Sequence, residues 1–199
     1  MKISRKIAGV VLAGGLSSRM GKDKTQLLLA DKTLLARSVN LLEQTSLDAV
    51  FVSGEHANYP HIVDIYPQLG PLSGIHASVE FLFSDFDAIF FIPVDMPLLS
   101  VAACTDLLAK FSQYPQGVFY QDSTFPFILP MDRAVQAYLA EIISVERKQA
   151  RSMYRLFTTF NMQGISCLPT QSFRFQNSNT PEEWDNCLDT YHSLQKHKD

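Results

Sequence analysis

The sequence predicts an α/β fold, a mostly parallel sheet covered by helices on both faces. Three observations carry this. Apolar runs of strand length, Ile7–Leu12, Asp48–Ser53, His61–Ile65 and Asp87–Val94, alternate with stretches of helical periodicity. The runs lack a polar alternation, as strands buried on both faces do. Short links containing Gly, Pro and Asp separate strand from helix, the rhythm of repeated βα units.

The first run, Ile7–Leu12, breaks abruptly at Gly14-Gly15 into a loop carrying Ser17, Ser18, Arg19, Gly21, Lys22 and Lys24. Glycines admit positive φ and let a ligand approach the main chain. Successive N–H groups in such a loop form an anion-binding nest, to which nearby cations add charge. At the carboxyl end of a first strand, where open α/β sheets hold their ligands, this reads as a phosphate-binding loop. The plain alternative is an ordinary turn with surface lysines. Two better-known loops are excluded. A Walker A loop needs glycine where Leu16 stands and Ser or Thr where Asp23 follows Lys22; Gly14-Gly15-Leu16 breaks the dinucleotide fingerprint.

Beyond the loop, Gln26–Leu29 is a short apolar piece ending at a turn, Asp31-Lys32. Thr33 is a candidate N-cap for a helix from Leu34 to about Thr45, with Leu35, Val39 and Leu42 on its apolar side. Asp48–Ser53 is the second strand and His61–Ile65 the third, ending near Pro67. Gly70-Pro71 opens a helix, proline suiting its first turn. Asp87–Val94, the most hydrophobic strand, is predicted at the sheet's centre and delivers Asp95-Met96-Pro97. Ser100 caps a helix to Phe111. The rhythm then changes: Gly117–Tyr120 and Phe125–Leu129 read as a hairpin, followed by helices over Arg133–Glu146 and Ser152–Phe160. Short strands are expected near Gly164–Cys167 and Phe173–Phe175. Thr180-Pro181-Glu182-Glu183 opens a last helix with a capping box, and the polar residues after His192 are expected to fray.

Asp95 is the strongest chemical candidate after the loop. Its strand should run in the direction of the first, so the two strand ends converge at one edge of the sheet. A carboxylate facing a phosphate loop is what Mg²⁺ requires, since that ion binds through one or two carboxylates plus substrate phosphates and water. A turn-forming aspartate ahead of Pro97 is the bland alternative.

Composition narrows the function classes. The 199 residues, 46% hydrophobic and 19% charged, suit one globular domain with a sizeable core. The net charge of −3, with no basic run, gives no support for nucleic-acid binding, so an anionic ligand must be held by local cations such as Arg19, Lys22 and Lys24. Three cysteines, Cys104, Cys167 and Cys187, lie far apart and form neither a disulfide framework nor a zinc pattern. No stretch reaches the roughly 18 apolar residues of a membrane span, and the apolar run after Lys6 is too short for a secretory leader. A cytoplasmic protein is expected. No Gly-x-Ser-x-Gly elbow occurs, and the histidines offer no nucleophile–base arrangement.

The occupied pattern Leu12-Ala13-Gly14-Gly15-x-Ser17-x-Arg19-Met20-Gly21-x-Asp23-Lys24 resembles nucleotidyltransferases with a leading glycine-rich loop, most closely the molybdenum cofactor guanylyltransferases. The resemblance extends to Asp64, to Gly70-Pro71-Leu72-Ser73-Gly74, to Val94-Asp95-Met96-Pro97 and to Asn177-Ser178-Asn179-Thr180-Pro181-Glu182-Glu183. It implies a Rossmann-like three-layer α/β/α nucleotidyltransferase fold: one domain over 1–199, with a nucleotide-binding half in 1–100, an acceptor-binding half in 101–191 and a frayed tail in 192–199. It further implies catalytic roles for Arg19, Lys24 and Asp95, with Asp95 as the metal ligand and Mg²⁺ as cofactor. The nucleotide would be held by Leu12, Ala13, Gly14, Gly15, Lys24, Ser53, Asp64 and Asp95. Asn179 would approach the metal or product, although a capped surface helix also accounts for this motif.

The implied reaction moves GMP from GTP to the terminal phosphate of molybdenum-bearing molybdopterin and releases pyrophosphate. The guanine preference is linked to Gly14-Gly15, where related cytidylyltransferases carry Ala-Gly. Cofactor-synthesis proteins or molybdoenzyme-specific chaperones are the implied protein partners, with no nucleic acid and no membrane. Two departures stand out: Ser53 replaces a usual asparagine, and Phe125-Pro126 replaces a common His-Pro on the acceptor side. Two alternatives remain open, a nucleotidyltransferase with another phosphorylated acceptor, and a GTP- or pterin-binding partner without turnover. Retention of Arg19, Lys24 and Asp95 together disfavours the second.

Overall fold

Local chemistry sets most element boundaries. The computed structural model describes residues 5–14, 23–66, 69–144 and 152–196. Strand β1 (Ile7–Leu12) is buried along nearly its whole length. A 3-10 turn at Lys24–Gln26, capped by Asp23, leads to a hairpin of β2 (Leu28–Leu29) and β3 (Lys32–Thr33), whose turn residues Ala30 and Asp31 both have positive φ. Helix α1 (Leu34–Glu43) starts where Thr33 Oγ1 accepts from the Ala36 N–H at 3.1 Å. β4 (Ala49–Ser53), β5 (His61–Ile62), α2 (Pro71–Leu82), β6 (Ala88–Pro93) and α3 (Val101–Phe111) follow, Ser100 capping α3 as its sequence predicts. The later elements are β7 (Val118–Tyr120), β8 (Phe127–Pro130), α4 (Arg133–Ser144), α5 (Met153–Thr159), β9 (Gln163–Ile165) and α6 (Pro181–Lys196).

The seven-stranded sheet has the order β5-β4-β1-β6-β8-β7-β9. β5, β4, β1 and β6 are mutually parallel; β8 runs antiparallel to β6 and β7, and β9 is parallel to β7. From β1 the chain moves outward to β4 and β5 on one side, then crosses to β6 on the other. Such a reversal opens a crevice at the carboxyl ends of the strands, and right-handed crossovers place α1 and α2 on opposite faces. α1 packs beside α3, and α2 beside α4, which completes the layers on the two faces. β6 is fourth of seven, the central position predicted for the most hydrophobic strand.

A chain of rings ties the parallel strands to the later elements. Phe91 of β6 stacks on Phe127 of β8 at 5.1 Å between centroids, and Phe127 meets Phe157 of α5 at 5.2 Å. Phe119 of β7 stacks on Phe157, 4.3 Å between centroids. Phe91, Phe127 and Phe157 are fully buried, and each such pair adds about 0.5–1.5 kcal/mol beyond its area burial.

The structure corrects three expectations. The third strand is only His61–Ile62, not His61–Ile65, because its partner β4 stops at Ser53, opposite Ile62. Val63 and Ile65 then lie 59% and 51% exposed. The segment expected as a strand at Phe173–Phe175 belongs to a 3-10 helix, Pro169–Phe175. Local bonds such as Gln171 N–H to Leu168 O at 2.8 Å form there, while the Phe175 ring docks 4.5 Å from that of Tyr120. The tail after His192 is not frayed up to Lys196, where α6 ends with a cation that complements its dipole.

Candidate active site

The three central strands end level. Leu12 is the last β1 residue paired with both neighbours, opposite Ser53 of β4 and Pro93 of β6. The main chain stays joined just past them: Ala13 N–H donates to Ser53 O at 3.3 Å and Val94 N–H to Leu12 O at 3.1 Å. Gly14 and Asp95 therefore emerge side by side from β1 and β6. Helix α2 begins at the same edge; Gly70, its N-cap, has φ 79°, a conformation that costs glycine little, and Pro71 takes the first helical position.

Lys24 reaches this edge from the 3-10 turn. Its Nζ donates to Asp95 Oδ2 at 3.2 Å and to Asn179 Oδ1 at 2.5 Å, joining residues from the two ends of the chain. The Lys24 and Asp95 side chains are 13% and 20% exposed, so the ion pair is largely removed from solvent. Asn179 is positioned from both sides. Ser178 N–H donates to the Asp95 carbonyl at 2.9 Å, and Glu183 Oε2 accepts from the N–H groups of Asn179 at 2.6 Å and Thr180 at 3.1 Å. Thr180 Oγ1 in turn accepts from Glu183 N–H at 3.2 Å, which completes the capping box. The box is thus both a helix start and a support for the cleft.

These groups wall a cleft of about 510 Å³ whose lining includes Leu12, Ala13, Gly14, Lys24, Asp64 and Asp95. The wall also includes Thr124 and Phe125, from the connection between β7 and β8, together with Asn177 and Asn179. Among the expected nucleotide contacts, Ser53 is the exception. It is 1% exposed and absent from the cleft wall, and its hydroxyl donates to Asp64 Oδ1 at 3.2 Å. Gly15 and Arg19 lie outside the described residues. Sequence reasoning missed Thr124 and Asn177 as wall residues; for Asn177 the signal was its place two residues ahead of Asn179 in one motif.

The donor set suits a hard divalent cation. Asp95 Oδ2 and Asn179 Oδ1 already converge on one cationic atom, the Lys24 ammonium. Among the described residues no group of three or more His, Cys, Asp or Glu side chains gathers, so a closed cage built of those side chains is not formed there. One carboxylate with an amide oxygen beside it at the edge of an open cleft suits a hard divalent ion that completes its shell with water and substrate phosphates. Among the described residues that line the cleft, one cation, Lys24, stands with three carboxylates, those of Asp23, Asp64 and Asp95.

Comparison with known proteins identifies the family. Residues 9–162 match the family of the MobA-like NTP transferase domain. The molybdenum cofactor guanylyltransferase of Xanthomonas euvesicatoria pv. vesicatoria is 38% identical over 184 residues, 92% of this chain and 95% of that protein. The fold is shared with molybdopterin-guanine dinucleotide biosynthesis protein A of Archaeoglobus fulgidus, at a TM-score of 0.68 and 17% identity over 94% of this chain and 99% of that one. It is shared also with a Mycobacterium tuberculosis protein solved as a complex with manganese, at a TM-score of 0.65 and 16% identity over 92% and 98% of the two chains. With the family match spanning most of its length and a relative this similar from end to end, the chain belongs to the MobA-like NTP transferase family.

Proposed function

We propose that this chain transfers GMP from GTP to the terminal phosphate of molybdenum-bearing molybdopterin, releasing pyrophosphate, with Mg²⁺ as cofactor. The observation that carries the reading is the meeting of Gly14, Lys24, Asp95 and Asn179 on one cleft at the strand ends, in a chain whose relatives are named for this activity. A phosphate oxygen of the acceptor forms a bond to the α-phosphorus of GTP as the bond from that phosphorus to the α–β bridging oxygen breaks, and pyrophosphate leaves. No covalent enzyme intermediate is needed, so positioning and charge neutralisation are the protein's task.

In this reading the main chain at Leu12–Gly14 lies against the nucleotide, and the Lys24 ammonium neutralises the triphosphate and the departing pyrophosphate. Arg19 is assigned the same task and Gly15 a place beside the base. Asp95, with Asn179 beside it, would hold Mg²⁺, which when bound supplies positive charge to the phosphate oxygens. The manganese complex of the mycobacterial fold relative supports a divalent ion. Asp64 accepts from donors on the nucleoside. Residues 1–100 form the nucleotide half and 101–191 the acceptor half, Thr124 and Phe125 marking the acceptor side of the cleft. No described helix is long and apolar enough to cross a membrane. We place the reaction in the cytoplasm, where GTP is available.

The test is incubation with each of the four nucleoside triphosphates, Mg²⁺ and molybdenum-loaded molybdopterin, with pyrophosphate release measured. Release is expected with GTP alone, and equal release with CTP or none with GTP overturns the reading. Phe125 favours a second reading, a different phosphorylated acceptor, because its buried ring offers the wall no polar group. Release with a sugar phosphate in place of molybdopterin would establish it.

A further inference from the structure

Ser53 and Asp64 form a connected pair at the sheet edge. Ser53 is the last residue of β4 and is hydrogen-bonded through its main chain into the central strands. Among the described residues Asp64 has no such main-chain bond. It lies two residues beyond the end of β5, between Val63 and Ile65, which are 59% and 51% exposed and so anchor nothing in the core. Among the described residues, what ties the Asp64 carboxylate to the rigid sheet is the Ser53 hydroxyl, which donates to Oδ1 at 3.2 Å. The other oxygen, Oδ2, lies beside Gly14: a Cβ added there would be 3.6 Å from it. Space for the hydroxyl is provided by Gly74 of α2, where any Cβ would overlap Ser53 Oγ and stand 3.0 Å from Leu12 Cδ2.

We propose that Ser53 is a positioning residue that aims Oδ2 of Asp64 at a hydrogen-bond donor of the bound nucleoside, and that Gly74 is glycine to leave the serine hydroxyl in place. This rests on the reading of the cleft as a GTP site. An ionised carboxylate only accepts, so the partner is a donor. GTP offers two kinds, the guanine N1–H and N2 amino group, and the ribose hydroxyls. A hydroxyl bonded to Oδ1 restricts rotation of the carboxylate and selects one direction for Oδ2. Fixing an acceptor in advance of binding raises discrimination, because a ligand lacking the donor strands a desolvated charge.

The experiment measures binding of GTP, ITP (which lacks the N2 amino group) and 2′-deoxy-GTP by calorimetry with Mg²⁺, in wild type, Ser53→Ala, Gly74→Ala and Asp64→Asn. Wild type is expected to prefer GTP over one of the two analogues, which identifies the donor as base or ribose. Ser53→Ala should weaken GTP about tenfold and shrink that preference toward the value for Asp64→Asn, with the other analogue's ratio unchanged. Gly74→Ala should reproduce the loss of preference. A Ser53→Ala protein that keeps the wild-type preference, or loses affinity equally for all three ligands, overturns the positioning role, as does an Asp64→Asn protein with unaltered ratios. A wild type that binds no GTP overturns the functional reading itself, and the proposal with it. Melting temperatures of the variants, expected within a few degrees of wild type, separate these outcomes from misfolding.

Discussion

Lys24→Met is the most informative single change in the cleft, because it should move two affinities in opposite directions. Methionine keeps an unbranched apolar side chain and removes the ammonium that lies 3.2 Å from Asp95 Oδ2 and 2.5 Å from Asn179 Oδ1. Two unit charges at 3.2 Å attract by about 5 kcal/mol at an effective dielectric near 20. Desolvation and side-chain entropy offset much of this, leaving about 1.5–3 kcal/mol for a charge-assisted hydrogen bond, or about tenfold to hundredfold in affinity. GTP, which loses a cation facing its phosphates, should bind at least about tenfold more weakly. Manganese offered without nucleotide should bind several-fold more tightly, since it no longer competes with the ammonium for Asp95 Oδ2. Calorimetry with GTP, and electron paramagnetic resonance of free Mn²⁺ in metal-only titrations, report the two arms separately. Weaker binding of both ligands, or a change in neither, refutes the idea that ammonium and cation share the Asp95 oxygen.

Asp95→Asn keeps the side chain's size and removes its charge; turnover should fall by several orders of magnitude and metal-only binding should vanish, whereas near-normal pyrophosphate release at limiting Mg²⁺ would remove Asp95 as ligand. His76, 5% exposed and with no partner on Nδ1 among the described residues, has its pKa lowered from 6.5 by burial, partly opposed by the Glu80 carboxylate. Its neutral form is the one the fold favours, so its contribution is fully present above the unfolded value of 6.5 and is lost as pH falls through the lowered folded one. Thermal melts from pH 7.5 to pH 5 should therefore drop less steeply for His76→Gln than for wild type, and parallel curves would refute the assignment. Burial pushes the Cys104 thiol up to about 12, so peptide mapping after iodoacetamide treatment at pH 8 should find half-buried Cys167 alkylated first and Cys104 untouched until the protein is unfolded.

Much of the architecture is written in short-range pattern. Unbroken apolar runs specify β1, β4 and β6 because a strand buried on both faces needs no polar alternation. Caps at Thr33 and Ser100, and the box of Thr180 and Glu183, mark helix starts because each satisfies N–H groups within a few residues of itself. The convergence of Gly14 and Asp95 was also legible, since parallel strands in one sheet end at one edge. What lay beyond the sequence depends on partners far away in the chain. β5 stops at Ile62 because β4 offers no further ladder, which leaves Asp64 on a loop instead of a strand. Ser53, expected to touch the nucleotide, is buried and bonded to Asp64 because α2 carries glycine at position 74 and closes over it. Lys24 meets Asn179 across 155 positions, a contact set by the main-chain bond from Ser178 to Asp95 and not by any local periodicity. Propensity and capping act over one helical turn or one strand, whereas the reach of a side chain into the cleft depends on which distant backbone is packed against it.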